Sequence, residues 1–294
     1  MADLLFRGTA PALVTPFTPD GHLDDPALRR LIDMQIDGGV DALVLLGTTG
    51  ENPTISPAER HRLLDLAMAH TAGRVPLLVG TGTNSTAESV RFSREAAAAG
   101  ADALLVVGPY YNKPPADGLV AHVNAIAEAA DLPIVFYNVP GRTGQNVPAD
   151  LTLRLAEEVP HVVGVKEASG NVAQIADVLA HRPEGFAVYA GDDELALPLI
   201  ALGADGVVSV VVNALPEPFC RLVRLALTGE VEAARALHFD LLPAMRACFL
   251  TANPIPVKVA LAALGVCADT VRLPLRLPEP DLRQRILRAF GLER

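Results

Sequence analysis

Tryptophan is absent from the 294 residues and aromatic side chains make up only 4% of them, so a large core has to be built from Ala, Leu and Val rather than from rings. Basic residues are also in deficit, 24 Lys+Arg against 34 Asp+Glu, which gives a net charge of −10. That balance offers no basic face to nucleic acid or to an anionic membrane and suits an enzyme acting on small molecules. No apolar run approaches the ~18 residues of a membrane span, and no basic leader followed by a long apolar stretch opens the chain. A soluble cytoplasmic protein is the expectation.

Further absences narrow the chemistry. The three cysteines, Cys220, Cys248 and Cys267, are odd in number, far apart and without a CxxC, and read as small core residues in a reducing compartment. The seven histidines are scattered, with no HExxH or Cys/His metal spacing. Gly80-Thr81-Gly82 lacks the third glycine of a dinucleotide loop, no Walker pattern occurs, and no G-x-S-x-G elbow offers a nucleophilic serine. Neither metal nor cofactor is expected.

Lysine is scarce as well. Only Lys113, Lys166 and Lys258 occur among the 24 basic residues, the other 21 being arginine. Lys166 closes an apolar run, HVVGVK, of the kind that forms a buried strand. An amine there can lose its proton and attack a carbonyl, whereas a guanidinium stays charged. A strand-end lysine can equally extend its ammonium to water.

The chain alternates short apolar runs with amphipathic stretches. TAPALVT, VDALVLLG, VPLLVG, ADALLVVG, LPIVFYN, HVVGVK, FAVYAG and ADGVVSV are eight candidate strands. Helix starts lie between them, as at Ser56-Pro57-Ala58-Glu59 and Asn84-Ser85-Thr86-Ala87-Glu88. Buried strands alternating with helices imply a parallel sheet, and eight repeats imply closure into a (β/α)8 TIM barrel. The barrel is expected over 1–213. Residues 214–294 read as helices alone, starting near Pro216, Glu230, Pro256 and Pro280, and are expected to form a C-terminal helical region packed on the barrel.

In such barrels the active site lies at the C-terminal ends of the strands. The residues at those ends include Gly47-Thr48-Thr49-Gly50-Glu51, Tyr110-Tyr111, Tyr137, Lys166 and Gly191-Asp192-Asp193. A lysine among hydroxyls and apolar walls can be neutral and condense with a keto group, and the Schiff base is then an electron sink. Tyr137, on the preceding strand, could shuttle protons. Thr48 and Thr49 could donate to a carboxylate, or simply form a tight turn that caps a helix. Arg142, in GRTG, has the planar fork for a second carboxylate, though most lone arginines are surface residues. The Asp192-Asp193-Glu194 cluster reads as a helix start rather than a metal site.

Taken in order, GTTGE (47–51), GTGTN (80–84), PYYNKP (109–114), FYNVPGRTG (136–144), GVKEASGN (164–171), AGDDE (190–194), GVVSV (206–210) and NPIPVK (253–258) give the chain its resemblance to the dihydrodipicolinate synthase and N-acetylneuraminate lyase superfamily of class I aldolases. The resemblance runs from about Gly8 to the end of the chain. It implies that pyruvate forms a Schiff base on Lys166 and that the derived enamine attacks aspartate semialdehyde, on the route to diaminopimelate and lysine. It implies a proton-carrying Tyr137 linked to Thr48 and to Tyr111 of a neighbouring subunit, a pyruvate carboxylate on Thr49, and a pocket lined by the backbone of Gly191 and Val208. Arg142 marks the synthase branch, where it would bind the aldehyde's carboxylate. Sister enzymes that use keto-deoxy sugar acids, hydroxy-oxoglutarate or N-acetylneuraminate share the lysine and tyrosine. A catalytically silent barrel serving as sensor or scaffold is the non-enzyme alternative.

The borrowed Tyr111 implies a homo-oligomer, most often in this superfamily a tetramer built as a dimer of dimers. The positions matching the lysine-feedback site are retained at Asn84, Glu88 and Tyr110, but Asn52, Pro53, Pro57 and Arg60 stand where sensitive members have a serine, an alanine and two histidines. Feedback inhibition by lysine is therefore expected to be weak or absent, since Arg60 adds a cation where a lysine side chain must fit. Lys258, beyond the strands, is expected to be structural.

Overall fold

The computed structural model describes residues 4–293. Eight parallel strands form one sheet: β1 (Gly8–Pro11), β2 (Leu43–Leu45), β3 (Leu77–Gly80), β4 (Ala103–Val107), β5 (Ile134–Asn138), β6 (Val162–Glu167), β7 (Ala187–Ala190) and β8 (Gly206–Ser209). Neighbours follow chain order from β2 to β8, and β8 pairs with β1. A parallel bridge from Ala12 to Val44 and the 2.9 Å bond from Leu13 N to Val44 O close the ring. The expected (β/α)8 TIM barrel is what forms. At the β1–β8 seam only glycine fits at 206, because a Cβ there would stand 2.0 Å from Gly8 O.

Helices α1 (Asp25–Asp37), α2 (Pro57–Thr71), α3 (Thr86–Ala99), α4 (Ala116–Ala130), α5 (Pro140–Thr143), α6 (Ala149–Glu158), α7 (Val172–His181) and α8 (Ala196–Ala201) connect the strands. Local sequence starts them as expected. Ser56 and Glu59 form a reciprocal capping box on α2, and Ser85 accepts from Glu88 N at the start of α3. After β8 come α9 (Pro216–Leu227), α10 (Val231–Ala247), α11 (Ile255–Ala263) and α12 (Pro280–Ala289), each starting within one residue of the expected position.

Two apolar layers follow from the strand alternation. Inward side chains such as Ala10, Val44, Leu78, Val135, Tyr189 and Val208 fill the barrel. Outward ones pack under the helices, and the same layer includes Phe219 of α9, Met245 of α10, Val257 of α11 and Ile286 of α12. The paired strands are shorter than the apolar runs. In VDALVLLG only Leu43–Leu45 pairs, because Leu46 turns into the left-handed region at φ 55° and takes the chain off the ladder. No helix among the described residues is long and apolar enough to cross a membrane.

Candidate active site

Strand register builds the site. Tyr137 of β5 and Tyr189 of β7 flank Lys166 of β6 at the same level. Inward alternation therefore sends all three side chains to the barrel axis. Tyr189 is held by Phe6, stacked on it at 4.1 Å between ring centroids and donating its hydroxyl to Phe6 O at 2.8 Å. Lys166 has its Nζ 4.2 Å from the centre of the Tyr137 ring, and is only 5% exposed. The next residue, Glu167, points the other way. It accepts from Asn138, Gln174 and Ser169 N, which ties the ends of β5 and β6 to α7.

Lys166 opens on a cavity of about 60 Å³ whose lining includes Thr48, Thr49, Tyr137, Arg142 and Gly191. An adjoining cavity of about 290 Å³ shares Thr48, Tyr137 and Arg142 and extends to Tyr110 and Asn52. Gly191 keeps the smaller space open on one side. A Cβ there would come within 2.5 Å of Ala168 Cβ, and Gly191 N is bonded to Glu167 O at 2.7 Å.

Burial sets the titration of the paired groups. It pulls the Lys166 amine down to about 8, against the carboxylates of Asp192 and Asp193 and with the help of the Arg142 cation. Relative to an ordinary lysine at 10.5, a fall to about 8 raises the neutral fraction near pH 7 by ~300-fold. Burial also pushes the Tyr137 phenol up to about 12, opposed by the Arg142 cation and by the nearby Thr48. Near neutral pH the tyrosine thus carries a proton that the amine can lack.

The loop carrying the threonines is pinned. Leu46 and Glu51 both adopt positive φ, and Thr15 donates to Gly50 O at 2.7 Å. Glu51, which sequence reasoning treated only as the end of a motif, is buried beneath the loop. It pairs with Lys258 Nζ of α11 and accepts from Arg272 N at 3.0 Å. Lys258 is 0% exposed, donates also to Thr270 O at 2.8 Å, and lies 4.2 Å above the Phe17 ring. Its burial lowers its pKa, and the Glu51 carboxylate opposes that shift. The expected structural place for Lys258 thus has a partner 207 positions away.

The other expected residues lie outside the Lys166 cavity of the single chain. Val208 is buried inside the barrel below the mouth, whereas Val210 lines the Lys166 cavity. Tyr111 is 89% exposed, at φ 73°, and lines neither cavity. Asn84 and Glu88 lie outside both: Asn84 O accepts from Asn112 at 2.8 Å, and Glu88 pairs with Arg91. Asp192-Asp193-Glu194 does open a helix, a 3-10 turn over Asp193–Leu195 that runs into α8, but the Asp193 side chain does not cap it. Its carboxylate serves not its own helix but the N–H groups of Val210 and Val211, the latter at 2.8 Å, which fastens the end of β8. Burial pushes its pKa up to about 6 against these bonds. No group of three His, Cys, Asp or Glu among the described residues is arranged to hold a metal.

Comparison with known proteins agrees with this geometry. Residues 5–289 match the model of the dihydrodipicolinate synthetase family. The chain is 61% identical to a 4-hydroxy-tetrahydrodipicolinate synthase of Salinibacter ruber, over 98% of this chain and 96% of that one. Among solved structures, a dihydrodipicolinate synthase from Thermotoga maritima superposes with a TM-score of 0.94 at 41% identity, covering 98% of this chain and 100% of that one. A lysine-bound DHDPS from Cyanidioschyzon merolae does so with 0.95 at 39% identity, covering 99% of each.

Proposed function

The chain belongs to the dihydrodipicolinate synthetase family, and on that premise we propose that it condenses pyruvate with L-aspartate 4-semialdehyde to 4-hydroxy-tetrahydrodipicolinate. The observation that carries this reading is the buried Lys166 amine facing a cavity shared with Tyr137, Thr49 and Arg142.

In this reaction the neutral amine of Lys166 adds to the keto carbon of pyruvate, and water leaves to give the imine. Loss of a methyl proton makes the enamine, whose carbon attacks the aldehyde. The substrate's own amine then attacks the imine carbon, closes the ring and displaces Lys166. Tyr137, protonated and lining both cavities together with Thr48, carries protons to and from the oxygens, while Thr49 and the Gly191 segment hold the pyruvate carboxylate.

Arg142 binds the carboxylate of the semialdehyde. Its fork has no carboxylate partner among the described residues and faces both cavities. Arg142→Ala is expected to lower kcat/KM for aspartate semialdehyde by about 10- to 100-fold, the size of one charge-assisted bidentate contact, while pyruvate still modifies Lys166. Steady-state kinetics with each substrate varied reads both effects. An unchanged kcat/KM for the semialdehyde would assign substrate choice elsewhere and return the sister aldolases.

The working enzyme is a homo-oligomer, a dimer of dimers, in which Tyr111 of one subunit completes the proton path of another. The exposed, positive-φ Tyr111 supports this, since a bulky aromatic held away from its own chain is available to a second copy. Tyr111→Phe is expected to lower kcat with little change in oligomer mass by light scattering. Full activity in a monomeric wild type would contradict the borrowed tyrosine. The activity is placed in the cytoplasm, where Cys220, Cys248 and Cys267 stay as free thiols.

Weak or absent inhibition by L-lysine is also part of the reading. Arg60 is buried across the site matched to feedback binding, donating to Asn52 and to Gly80 O at 2.8 Å each and stacking 4.1 Å over Phe92. A second cation has to displace that arrangement or sit beside it. Initial rates are expected to stay near their uninhibited value in sub-millimolar L-lysine; half-inhibition in that range contradicts the expectation.

A further inference from the structure

We propose that Asn253 is a positioning residue for the keto acid, acting through the hydroxyl of Thr49. The inference rests on the pyruvate reading of this same site and adds a residue to it.

Asn253 ends the loop before α11 and is only 7% exposed. Its Nδ2 donates to Thr49 Oγ1 at 2.9 Å across 204 positions of sequence. A hydroxyl has one proton and two lone pairs, so a Thr49 oxygen that accepts from Asn253 keeps its own O–H for another acceptor. No other described group is hydrogen-bonded to that oxygen, and Thr49 lines the Lys166 cavity. Asn253 therefore turns Thr49 into a donor aimed at a carboxylate beside Lys166.

A second observation points the same way. The Asn253 Oδ1 is buried without a partner, and Asn253 lines both cavities. A buried carbonyl left unpaired is costly unless a donor reaches it; pyruvate has none, so a water in the cavity is the donor that fits, and the amide faces the open site with its Nδ2 committed to Thr49. Its position is fixed from both sides. Thr49 lies two residues before Glu51 and Asn253 five before Lys258, so the Thr49–Asn253 bond and the Glu51–Lys258 pair join the same two segments.

The test compares Asn253→Ala, Asn253→Asp and Thr49→Val, and combines Asn253→Ala with Thr49→Val. The readouts are half-saturating pyruvate in steady state and the pyruvate dependence of borohydride trapping on Lys166. Asn253→Ala is expected to raise half-saturating pyruvate about tenfold with kcat at saturation within about threefold, as one hydrogen bond to a charged ligand is weakened. Asn253→Asp keeps the shape but can only accept, so it draws the Thr49 proton to itself, and about 100-fold or more is expected. With Thr49→Val already present, Asn253→Ala should add little, because its effect passes through the hydroxyl.

A merely structural amide would give the opposite order, since the isosteric aspartate preserves the contact with Thr49 better than alanine does. Adduct formation in the wild type with Asn253→Asp no worse than Asn253→Ala, or an undiminished Asn253→Ala effect in the Thr49→Val background, overturns this inference alone. Absence of any Lys166 adduct in the wild type overturns the pyruvate reading and this inference together.

Discussion

Lys166→Arg is expected to lower turnover by at least about 10³-fold and to abolish the reducible adduct with pyruvate, because a guanidinium does not deprotonate to a nucleophile in this range. The fold should survive, as the replacement keeps a long cationic stem in the same layer between Tyr137 and Tyr189. The pH dependence follows from the same burial. The amine is reactive only when neutral, so the rate of trapping by the wild type should rise with pH and level off above about 8, not above an ordinary lysine value of 10.5. Asp192 raises that pKa and Arg142 lowers it. Asp192→Asn is therefore expected to move the rise to lower pH and Arg142→Ala to higher pH. A rise centred near 10.5 in the wild type would show that the amine is solvated and not held as described.

Lys258→Met is the second large effect, and its readout is stability. Removing one partner of a buried ion pair leaves Glu51 charged and uncompensated, a loss of about 3–5 kcal/mol. In a chain of this size that lowers Tm by on the order of 10 °C. Adding Glu51→Gln should recover much of the loss, since glutamine carries no charge and its carbonyl can still accept from Arg272 N. Because the pair also anchors the 47–51 loop, the single variant should bind pyruvate more weakly in whatever fraction remains folded. Thermal unfolding of the wild type and the two variants measures this. A Lys258→Met protein within about 1 kcal/mol of wild type would mean the pair contributes nothing beyond packing.

What was legible in the sequence has a physical pattern. Strand-end residues were legible because a parallel barrel places every strand's C-terminus on one face, so eight apolar runs were enough to gather Thr48, Tyr137, Lys166 and Gly191 before any coordinates. Helix starts were legible because capping is local, as Ser56 and Glu59 show. Contacts that depend on how the chain closes were not. Glu51 meets Lys258, Asn253 meets Thr49 and Asp193 meets Val210 across 207, 204 and 17 positions, and no periodicity encodes such distances. Val208 alternates inward on β8, whereas Val210 lies just past the strand end in a helical conformation, and that turn, which the apolar run GVVSV does not show, is what brings it to the cavity. The role expected for Tyr111 came from the family resemblance alone, since the ring is 89% exposed and lines neither cavity of its own barrel.

The central claim is that Lys166 is a live nucleophile toward pyruvate, and borohydride reduction of the protein with pyruvate tests it most directly. The account predicts one pyruvate-derived adduct per chain by intact mass, mapped to the Lys166 peptide, with Lys113 and Lys258 unmodified. Folded protein that gives no adduct at Lys166, or gives it equally at Lys113, would contradict the mechanism and leave a barrel that binds without reacting.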